Sequence, residues 1–338
     1  MKTLIIAEAG VNHNGNMDQA KALIDIGKRA GVDYIKFQTF KADTIVSRNA
    51  KLATYQKSNI GVEETQYSML KKLELSDSDH RELIAYCKLN GVKFFSTAFD
   101  IEGLLYLNSL GMDRFKVPSG EITNWPYLNT LAELAKPVIL STGMANIHEI
   151  RDAMDTLTSK QLNKSDITIL HCNTEYPTPM EDVNLRAMIQ IQKEFGVAVG
   201  YSDHTLGIEV PIAAVALGAT VIEKHFTIDR NLSGPDHKAS LEPQELIAMV
   251  KGIRNIELAM GGSGIKETSP SEMGNRVIAR KSIFVKTKLK KGHILTETDL
   301  IPLRPGDGIT PMNWKKVIGN SLNKDLEAFD QLSWEDLT

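Results

Sequence analysis

The sequence predicts an α/β protein with a (β/α)8 TIM barrel followed by a small β-rich domain. Eight short apolar runs bounded by turn residues occur in residues 1–262, and segments with apolar residues at three- and four-residue spacing lie between them. This alternation indicates parallel strands joined by helical crossovers. An open doubly wound sheet is the competing prediction. Such a sheet normally carries a glycine-rich phosphate loop, and neither G-x-G-x-x-G nor G-x-x-x-x-G-K-[ST] occurs in the chain, so the closed barrel is favoured.

The predicted strands and helices follow one another in chain order. The strands are "LIIAEAG", "YIKFQTF", "FFSTAF", "RFKVPSGE", "PVILSTGM", "ITILHCNTEY", "VAVGYSDH" and "VIEKHFT". The first helix, "MDQAKALIDIGKRAGV", has Asp18 near its start and ends at Gly31. A later helix, "SDSDHRELIAYCKLNGV", begins with Ser/Asp capping residues and ends at Asn90-Gly91.

Nearly every predicted strand becomes polar toward its carboxyl end. The polar residues at these ends are Glu8, Lys36, Gln38, Ser96, Thr97, Lys116, Ser119, Glu121, Ser141, Thr142, Tyr176, Ser202, His204, Glu223 and His225. In a barrel these ends meet at one mouth, where the active sites of barrel enzymes lie. The sequence therefore predicts a reaction centre at the mouth, rather than a set of unrelated solvated strand ends.

Composition argues against several classes of function. The chain of 338 residues has a formal net charge of −3, which gives no electrostatic reason to expect nucleic acid or an anionic membrane as a partner. No apolar run has the length and pattern of a signal peptide or a membrane span. Cys87 and Cys172 both lie in apolar patterns and are predicted to be buried, reduced thiols. We therefore expect a cytoplasmic protein.

The pattern changes after a Gly-rich stretch that ends at Gly264. The predicted divisions are a barrel domain over residues 1–262, a polar linker over 263–280 and a turn-rich β domain over 281–338. A core of that size is marginal alone, so the small domain is expected to dock on a barrel, its own or a partner's. Arg304 lies there between Pro302 and Pro305, so its backbone is held and its guanidinium could be directed at a ligand.

His204 and His225 are candidate metal ligands because they end the last two strands of the barrel. Neighbouring strands lie about 4.8 Å apart, so two imidazoles there could share one divalent ion. Two ligands are too few for a closed structural zinc site but suit an open catalytic site completed by water and substrate oxygens. Asp203 and Glu223 are adjacent and could orient the rings. Two hydrogen-bonded core histidines are the alternative.

Lys36, Lys116 and Lys224 are predicted to point into the barrel, where an ammonium group is costly unless it is paired. Three interpretations are open: a structural network of ion pairs, a Schiff-base lysine as in barrel aldolases, and a cradle for a phosphate or carboxylate substrate. The carboxylates that could pair with these lysines are Glu8, Glu121 and Glu223. Glu8 and Glu121 could also act as a general base or orient a reacting water.

Taken in order, these motifs resemble the sialic acid synthase family of phosphoenolpyruvate-condensing enzymes. They are "EAGVNHNG", "KFQTFKAD", "FKVPSGEITNWPYL", "STGMA", "LHCNTEYPTPMEDVNL", "GYSDHT", "EKHFT", "SGPDHKAS" and "RPGDGI". Any one of them is weak, whereas their joint order over nearly the whole chain is specific. The resemblance implies a (β/α)8 barrel and an antifreeze-like (SAF, β-clip) domain that reaches the other subunit's barrel in a swapped homodimer.

The resemblance also implies a reaction. An N-acetylneuraminate-type synthase would join phosphoenolpyruvate, an open-chain N-acetylmannosamine-type sugar and water, and would release phosphate. A legionaminate synthase acting on 2,4-diacetamido-2,4,6-trideoxymannose is the alternative, toward which "SDHTLGIEVPIAAVALGA" leans. A Schiff-base pyruvate aldolase is a remote alternative.

By the same resemblance, His204 and His225 match the ligands of a divalent metal, manganese first, with magnesium or cobalt as substitutes. The phosphoenolpyruvate-binding positions match Lys36, Thr97, Lys116, Ser119 and Ser202. The sugar-binding positions match Gln38, Tyr176, Asp236 and Arg304, and the acids at the reacting centre match Glu8 and Glu121.

Overall fold

The computed structural model describes residues 2–53, 56–57, 59 and 65–338. The chain divides into two compact units, Met1–Gly261 and Gly262–Thr338. No helix in these described ranges is long and apolar enough to cross a membrane.

The first unit is built on a parallel sheet of eight strands. The strands are β1 Leu4–Gly10, β2 Tyr34–Thr39, β3 Lys93–Ala98, β4 Phe115–Val117, β5 Val138–Ser141, β6 Ile167–Cys172, β7 Ala198–Asp203 and β8 Val221–His225. Their order in the sheet is β3-β2-β1-β8-β7-β6-β5-β4. The two ends of this order, β3 and β4, lie side by side, so the sheet curls into a nearly closed barrel. The predicted (β/α)8 TIM barrel is confirmed.

A tyrosine side chain joins the two strands at the seam. The hydroxyl of Tyr127 donates to the carbonyl oxygen of Ala98 at the end of β3 (2.8 Å) and lies 3.3 Å from that of Lys116 in β4. The ring is fully buried. Because a backbone ladder does not join β3 to β4, this side chain supplies a polar link where the strands meet.

Helices cover the outside of the barrel, except for the second and third in chain order, which lie at the carboxyl ends of the strands. They are α1 Met17–Ala30, α2 Ala42–Ile45, α3 Gln66–Leu73, α4 Asp77–Asn90, α5 Ile101–Ser109, α6 Trp125–Leu134, α7 Ile147–Leu157, α8 Arg186–Phe195, α9 Glu209–Ala216 and α10 Pro243–Ala259. Helix α1 begins after Asn16, whose side chain accepts from two backbone N–H groups, and ends at Gly31 with φ of 77°. Helix α4 begins with a capping box between Ser76 and Asp79 and ends at Gly91.

The barrel interior is apolar at its floor and polar above it. A separate apolar cluster contains Ile6, Tyr34, Phe95, Ile139, Leu170 and Val221, one residue from each of six strands. Side chains two residues apart on a strand lie on the same face. On five of these strands, the residue two positions further along the chain is polar and lines one cavity. These residues are Glu8, Lys36, Thr97, Ser141 and Glu223. Period-two alternation therefore stacks the polar residues directly above an apolar plug.

The second unit is small and has a core of its own. Its elements are α11 Met273–Ala279, β9 Ser282–Val285, β10 Leu300–Leu303 and α12 Trp314–Val317, with β9 and β10 antiparallel. Ile283, Val285, Leu300, Val317 and Leu332 are among its buried residues. This is the small β-rich domain that the sequence predicts.

Candidate active site

One cavity of about 850 Å³ opens at the carboxyl ends of the barrel strands. The sequence-predicted site residues that line it are Glu8, Lys36, Gln38, Thr97, Lys116, Ser119, Glu121, Tyr176, Ser202, His204, His225 and Asp236. The remaining predicted residue, Arg304, directly follows β10 in the C-terminal unit, where it is exposed. With Ser141 of β5, which also lines the cavity, residues from all eight strand ends or the loops that follow them meet in a single cleft.

Two lysines and two carboxylates form a buried cluster at the bottom of the cavity. The Nζ of Lys36 lies 3.3 Å from Oε2 of Glu8 and 3.0 Å from Oε2 of Glu223. The Nζ of Lys116 lies 3.5 Å from Oε1 of Glu223. All four side chains are almost completely buried. The ammonium groups are therefore paired within the barrel, as burial of charge requires.

The pKa values of the two carboxylates in this cluster are shifted in opposite directions. Burial raises the pKa of Glu8 to about 7, and the negative charge of Glu223 adds to the rise, although Lys36 opposes it. Burial also disfavours the charge of Glu223, but Lys116 and Lys36 outweigh that effect and hold its pKa well below the usual range. Environments that separate the pKa values of two neighbouring acids are typical of acid–base sites. Glu223 stays ionised, and Glu8 is the member that can exchange a proton near neutral pH.

Hydrogen-bond donors that could bind an anion surround the lysines. The Nζ of Lys36 donates to the hydroxyl of Thr97 (3.1 Å), and the hydroxyl of Ser202 donates to Oε1 of Glu223 (3.0 Å). Across the cleft, the N–H of Gly143 donates to the hydroxyl of Ser119 (3.0 Å). Two ammonium groups and three hydroxyls in one buried pocket have the chemistry needed to bind a phosphate or carboxylate group.

His204 and His225 face each other at the next level of the cavity, with ring centroids 5.5 Å apart. The Nδ1 of His204 lies 2.5 Å from the carbonyl oxygen of Asn173. A carbonyl oxygen only accepts, so Nδ1 carries the proton and Nε2 has a free lone pair, to which the hydroxyl of Tyr176 donates (3.0 Å). Burial lowers the pKa of His204 to about 4 and that of His225 well below its usual range, so both rings are neutral.

The histidine pair fits an open divalent-metal site. Nδ1 of His225 is buried and has no hydrogen-bond partner, which is unusual for a buried ring nitrogen. Within the described part of the chain, no group of three or more His, Cys, Asp or Glu residues is arranged to hold a metal. Neutral imidazoles are good ligands for divalent transition metals, and two of them leave the other coordination positions to water and substrate.

Gly10 allows the acid, the amide and the imidazole to approach one another. It ends β1 with φ of +52°, and a Cβ built there would lie 3.3 Å from Cε1 of His225 and 3.4 Å from both Nε2 of Gln38 and Oε1 of Glu8. Gln38 also donates to Oε1 of Glu8 (3.3 Å). A larger residue at this position would be strained and would separate these groups.

Three expectations about charged residues were wrong. Lys224 does not line the cavity, because it alternates with Glu223 and His225 and therefore points to the opposite side of β8. Asp203 pairs with Lys224 there instead of orienting a histidine. Glu121 accepts a hydrogen bond from Asn124 (2.5 Å), and the buried lysines pair with Glu8 and Glu223 instead.

The sequence identified one of the residues that shape the site and missed others. Glu223 was predicted as a possible partner of the lysines, and in the structure it pairs with both of them and accepts a hydrogen bond from Ser202. The Asn173 carbonyl that fixes His204 lies in a different loop, for which the sequence gives no signal. Asn12 donates to Phe226 O and to Ser240 Oγ, and that hydroxyl donates to the Asp236 carbonyl (2.7 Å). The "GVNHNG" loop thereby supports the loop that carries Asp236.

A TIM barrel with paired lysines and carboxylates beside two neutral histidines defines a barrel enzyme that acts on an anionic substrate. Comparison with known proteins identifies the family. Residues 23–266 match the NeuB family and residues 280–338 match the SAF domain. The chain belongs to the NeuB family.

Named relatives are similar over almost their full length. The chain is 52% identical to the N,N'-diacetyllegionaminic acid synthase of Campylobacter jejuni, over 96% of this chain and 97% of that protein. It is 48% identical to the synthase of the same name from Legionella pneumophila, over 99% of this chain and 94% of that protein. The crystal structure of the N-acetylneuraminic acid synthetase from Leptospira borgpetersenii, in complex with citrate, has a TM-score of 0.71 and 33% identity and covers 81% of this chain and 90% of its own.

Proposed function

We propose that this protein is a nonulosonic acid synthase, which condenses phosphoenolpyruvate with an open-chain N-acylated amino sugar and water and releases phosphate. The observation that carries this proposal is the cluster of Lys36, Lys116, Glu8 and Glu223 beside the neutral pair His204 and His225 in one cavity. The membership in the NeuB family supports the same reaction.

In this proposal the bottom of the cavity binds phosphoenolpyruvate. Lys36 and Lys116 would neutralise the phosphate and carboxylate groups, and the hydroxyls of Thr97, Ser119 and Ser202 would orient them. Burial lowers the pKa of Lys116, with Glu223 opposing the fall, and a bound anion would further favour the charged form of this lysine. The same lysines would stabilise phosphate as it leaves.

His204 and His225 would hold a divalent cation, manganese first with magnesium or cobalt as substitutes, which supplies Lewis acidity toward the aldehyde oxygen when bound. Tyr176, Gln38 and Asp236 would position the sugar. Its aldehyde carbon would be attacked by C3 of phosphoenolpyruvate, and water would then add to C2 before the C2–O bond to phosphate breaks. Glu8, with a pKa of about 7, is the group that can take the proton from this water, and Glu121 is the second acid at the reacting centre.

Two acceptors fit this reaction. N-acetylmannosamine would give N-acetylneuraminate, and 2,4-diacetamido-2,4,6-trideoxymannose would give the legionaminate product. The identities of 52% and 48% to two N,N'-diacetyllegionaminic acid synthases support the second acceptor. The test is to offer both sugars in parallel with phosphoenolpyruvate and a divalent metal, and to measure phosphate release. If neither sugar leads to the release of phosphate, the proposal is wrong.

A Schiff-base aldolase is the competing enzyme. Lys36 lies beside Glu8 and Glu223, and Lys116 lies 3.5 Å from Glu223. Both amines are thus paired as ammonium groups, and a protonated amine is a poor nucleophile. Borohydride reduction with pyruvate should therefore leave the protein unlabelled. Covalent trapping without phosphate release would favour the aldolase.

We also propose that the protein is cytoplasmic and forms a domain-swapped homodimer, in which Arg304 of the partner subunit binds the N-acyl group of the sugar. Both cysteines are free and buried, which supports a reducing compartment. The core of the C-terminal unit is small, and docking on a barrel would add to its stability.

A further inference from the structure

The cavity has an apolar wall that the proposed chemistry does not use. The first residue after each of β1, β2 and β3 is apolar, namely Val11, Phe40 and Phe99, and all three line the cavity. Ile45 of α2 and Met69, Leu70 and Leu73 of α3 line it beside them. We call these seven residues the apolar wall.

The apolar wall is distinct from the apolar cluster inside the barrel and from the larger core that the strands share with the outer helices. Its buried members form a separate apolar cluster, with Ile45, Leu70 and Phe99 packed against it. The rings of Phe40 and Phe99 meet edge to face, with centroids 6.1 Å apart. These side chains present apolar surface to a cavity that has the charged cluster of lysines and carboxylates at its bottom.

Polarity changes with height along β2. Every second residue here faces the cavity: Lys36 and Gln38 in the strand, and Phe40 directly after it. Gln38 lies near His225, because its Nε2 and Cε1 of His225 both lie within 3.4 Å of the point where a Cβ on Gly10 would stand. The step of two residues from Gln38 to Phe40 is about 6.6 Å, which an extended six-carbon sugar chain can span. A sugar with its aldehyde near the histidines can thus reach the wall with its other end.

The two candidate acceptors differ in the groups they would place there. Phosphoenolpyruvate has no methyl group, and N-acetylmannosamine has one, in its acetamido group. The 2,4-diacetamido-2,4,6-trideoxy sugar has three, because it carries a second acetamido group and a methyl in place of the C6 hydroxymethyl group. Burial of a methyl against apolar side chains is favourable, whereas burial of a hydroxyl there without a partner is costly.

We propose that the apolar wall binds the methyl groups of the acceptor and thereby selects a 6-deoxy, doubly N-acetylated sugar over one with hydroxyls at these positions. This selection rests on the proposed function. It assigns acceptor specificity to α2, α3 and the residues that follow β1 to β3.

Leu70→Asn tests the selection, and Leu52→Asn is its matched control. Leu52 is also half-buried and packs on the same cluster, but it does not line the cavity. We expect Leu70→Asn to lower kcat/KM for the trideoxy acceptor by roughly tenfold, with little change for N-acetylmannosamine and in the KM for phosphoenolpyruvate. Leu52→Asn should leave the ratio of the two acceptors unchanged. Ile45→Thr provides a second variant should Leu70→Asn fail to fold.

The results of these measurements either support the proposed selection or overturn it. A wild type that prefers N-acetylmannosamine overturns the selection but leaves the synthase in place. So does a Leu70→Asn variant that loses both acceptors equally, or a Leu52→Asn variant that shifts the ratio as much. A wild type that releases phosphate with neither sugar overturns the proposed function and the selection with it.

Discussion

Lys224 and Asp203 form an ion pair of 2.6 Å between Nζ and Oδ2, and neither side chain is exposed to solvent. The pair lies behind the cavity, on the outer side of β7 and β8. Lys224 also donates to the carbonyl oxygen of Thr205 (2.5 Å), and Asp203 accepts from the N–H of Thr205 (3.0 Å). One buried ammonium group therefore holds the backbone on both sides of His204.

Lys224→Met should destabilise the protein strongly. It leaves Asp203 as an unpaired buried charge, and breaking a buried pair in this way costs about 3–5 kcal/mol of the free energy of unfolding. Urea denaturation measures the loss. The double variant Lys224→Met with Asp203→Leu should recover much of it, because the unpaired charge is gone.

The exposed pair Lys288–Glu327, also 2.6 Å between Nζ and Oε1, is the control. Lys288→Met should change the stability little, since solvent screens such pairs. Equal losses at the two sites would show that burial of the Lys224 pair is not what stabilises this region.

Glu223→Gln should make the folded protein more dependent on a bound anion. The variant removes the carboxylate that pairs with both Lys36 and Lys116, so Lys36 keeps Glu8 as a partner and Lys116 loses its ion pair with Glu223. We expect a loss of about 1–3 kcal/mol in the free energy of unfolding. Phosphoenolpyruvate should then raise the thermal midpoint more than it does in the wild type, because it restores the missing negative charge.

Differential scanning fluorimetry with increasing phosphoenolpyruvate measures this difference. The exposed Glu133→Gln on α6 serves as the control and should respond like the wild type. A smaller rise in Glu223→Gln than in the wild type would mean that Glu223 helps to bind the anion instead of occupying its place.

His225→Ala should abolish metal binding while the fold is retained. Its ring is one of the two that face each other, and the loss in turnover should exceed about 100-fold, since even residues that only orient metal ligands contribute 10–100-fold. Calorimetric titration with Mn²⁺ gives a readout that does not depend on turnover. The exposed His148→Ala on α7 should bind the metal as the wild type does. Unchanged Mn²⁺ affinity in His225→Ala would refute the assignment.

The sequence predicts the residues that strand periodicity controls. Alternation along β2 and β8 places Lys36, Gln38, Glu223 and His225 on the cavity side. The same rule, applied strictly, excludes Lys224 from that side, because neighbours on a strand face opposite ways.

Contacts between separate loops could not be predicted in this way. The Asn173 carbonyl reaches His204 only because the loops after β6 and β7 converge, and no local pattern encodes that distance. The apolar wall likewise depends on α2 and α3, which lie over the strand ends only in the folded barrel. Hydrophobic periodicity and helix capping thus determine each strand and helix. The site depends in addition on contacts between loops and helices that are distant in the sequence.

Arg304→Ala tests the role proposed for the C-terminal unit. A guanidinium that donates to the N-acyl oxygen should contribute about 1.5–3 kcal/mol, so the variant should raise the KM for the sugar by roughly tenfold or more and leave that for phosphoenolpyruvate nearly unchanged. Steady-state kinetics with each substrate varied in turn measures the two values. Equal changes in both would point to a general loss of structure.

Mixing His225→Ala and Arg304→Ala chains then tests the swap itself, at a sugar concentration well below the KM, where both variants are impaired. In a heterodimer of His225→Ala and Arg304→Ala chains, a swapped arrangement pairs the barrel that keeps His225 with the small unit that keeps Arg304, so one complete site is restored. Without a swap each barrel keeps its own defect, and the mixture gains no activity. We therefore expect co-refolded mixtures to recover up to about a quarter of wild-type activity, since random pairing makes half of the dimers mixed and each has one working site. Activity no greater than the sum of the two separate variants would place Arg304 with the barrel of its own chain.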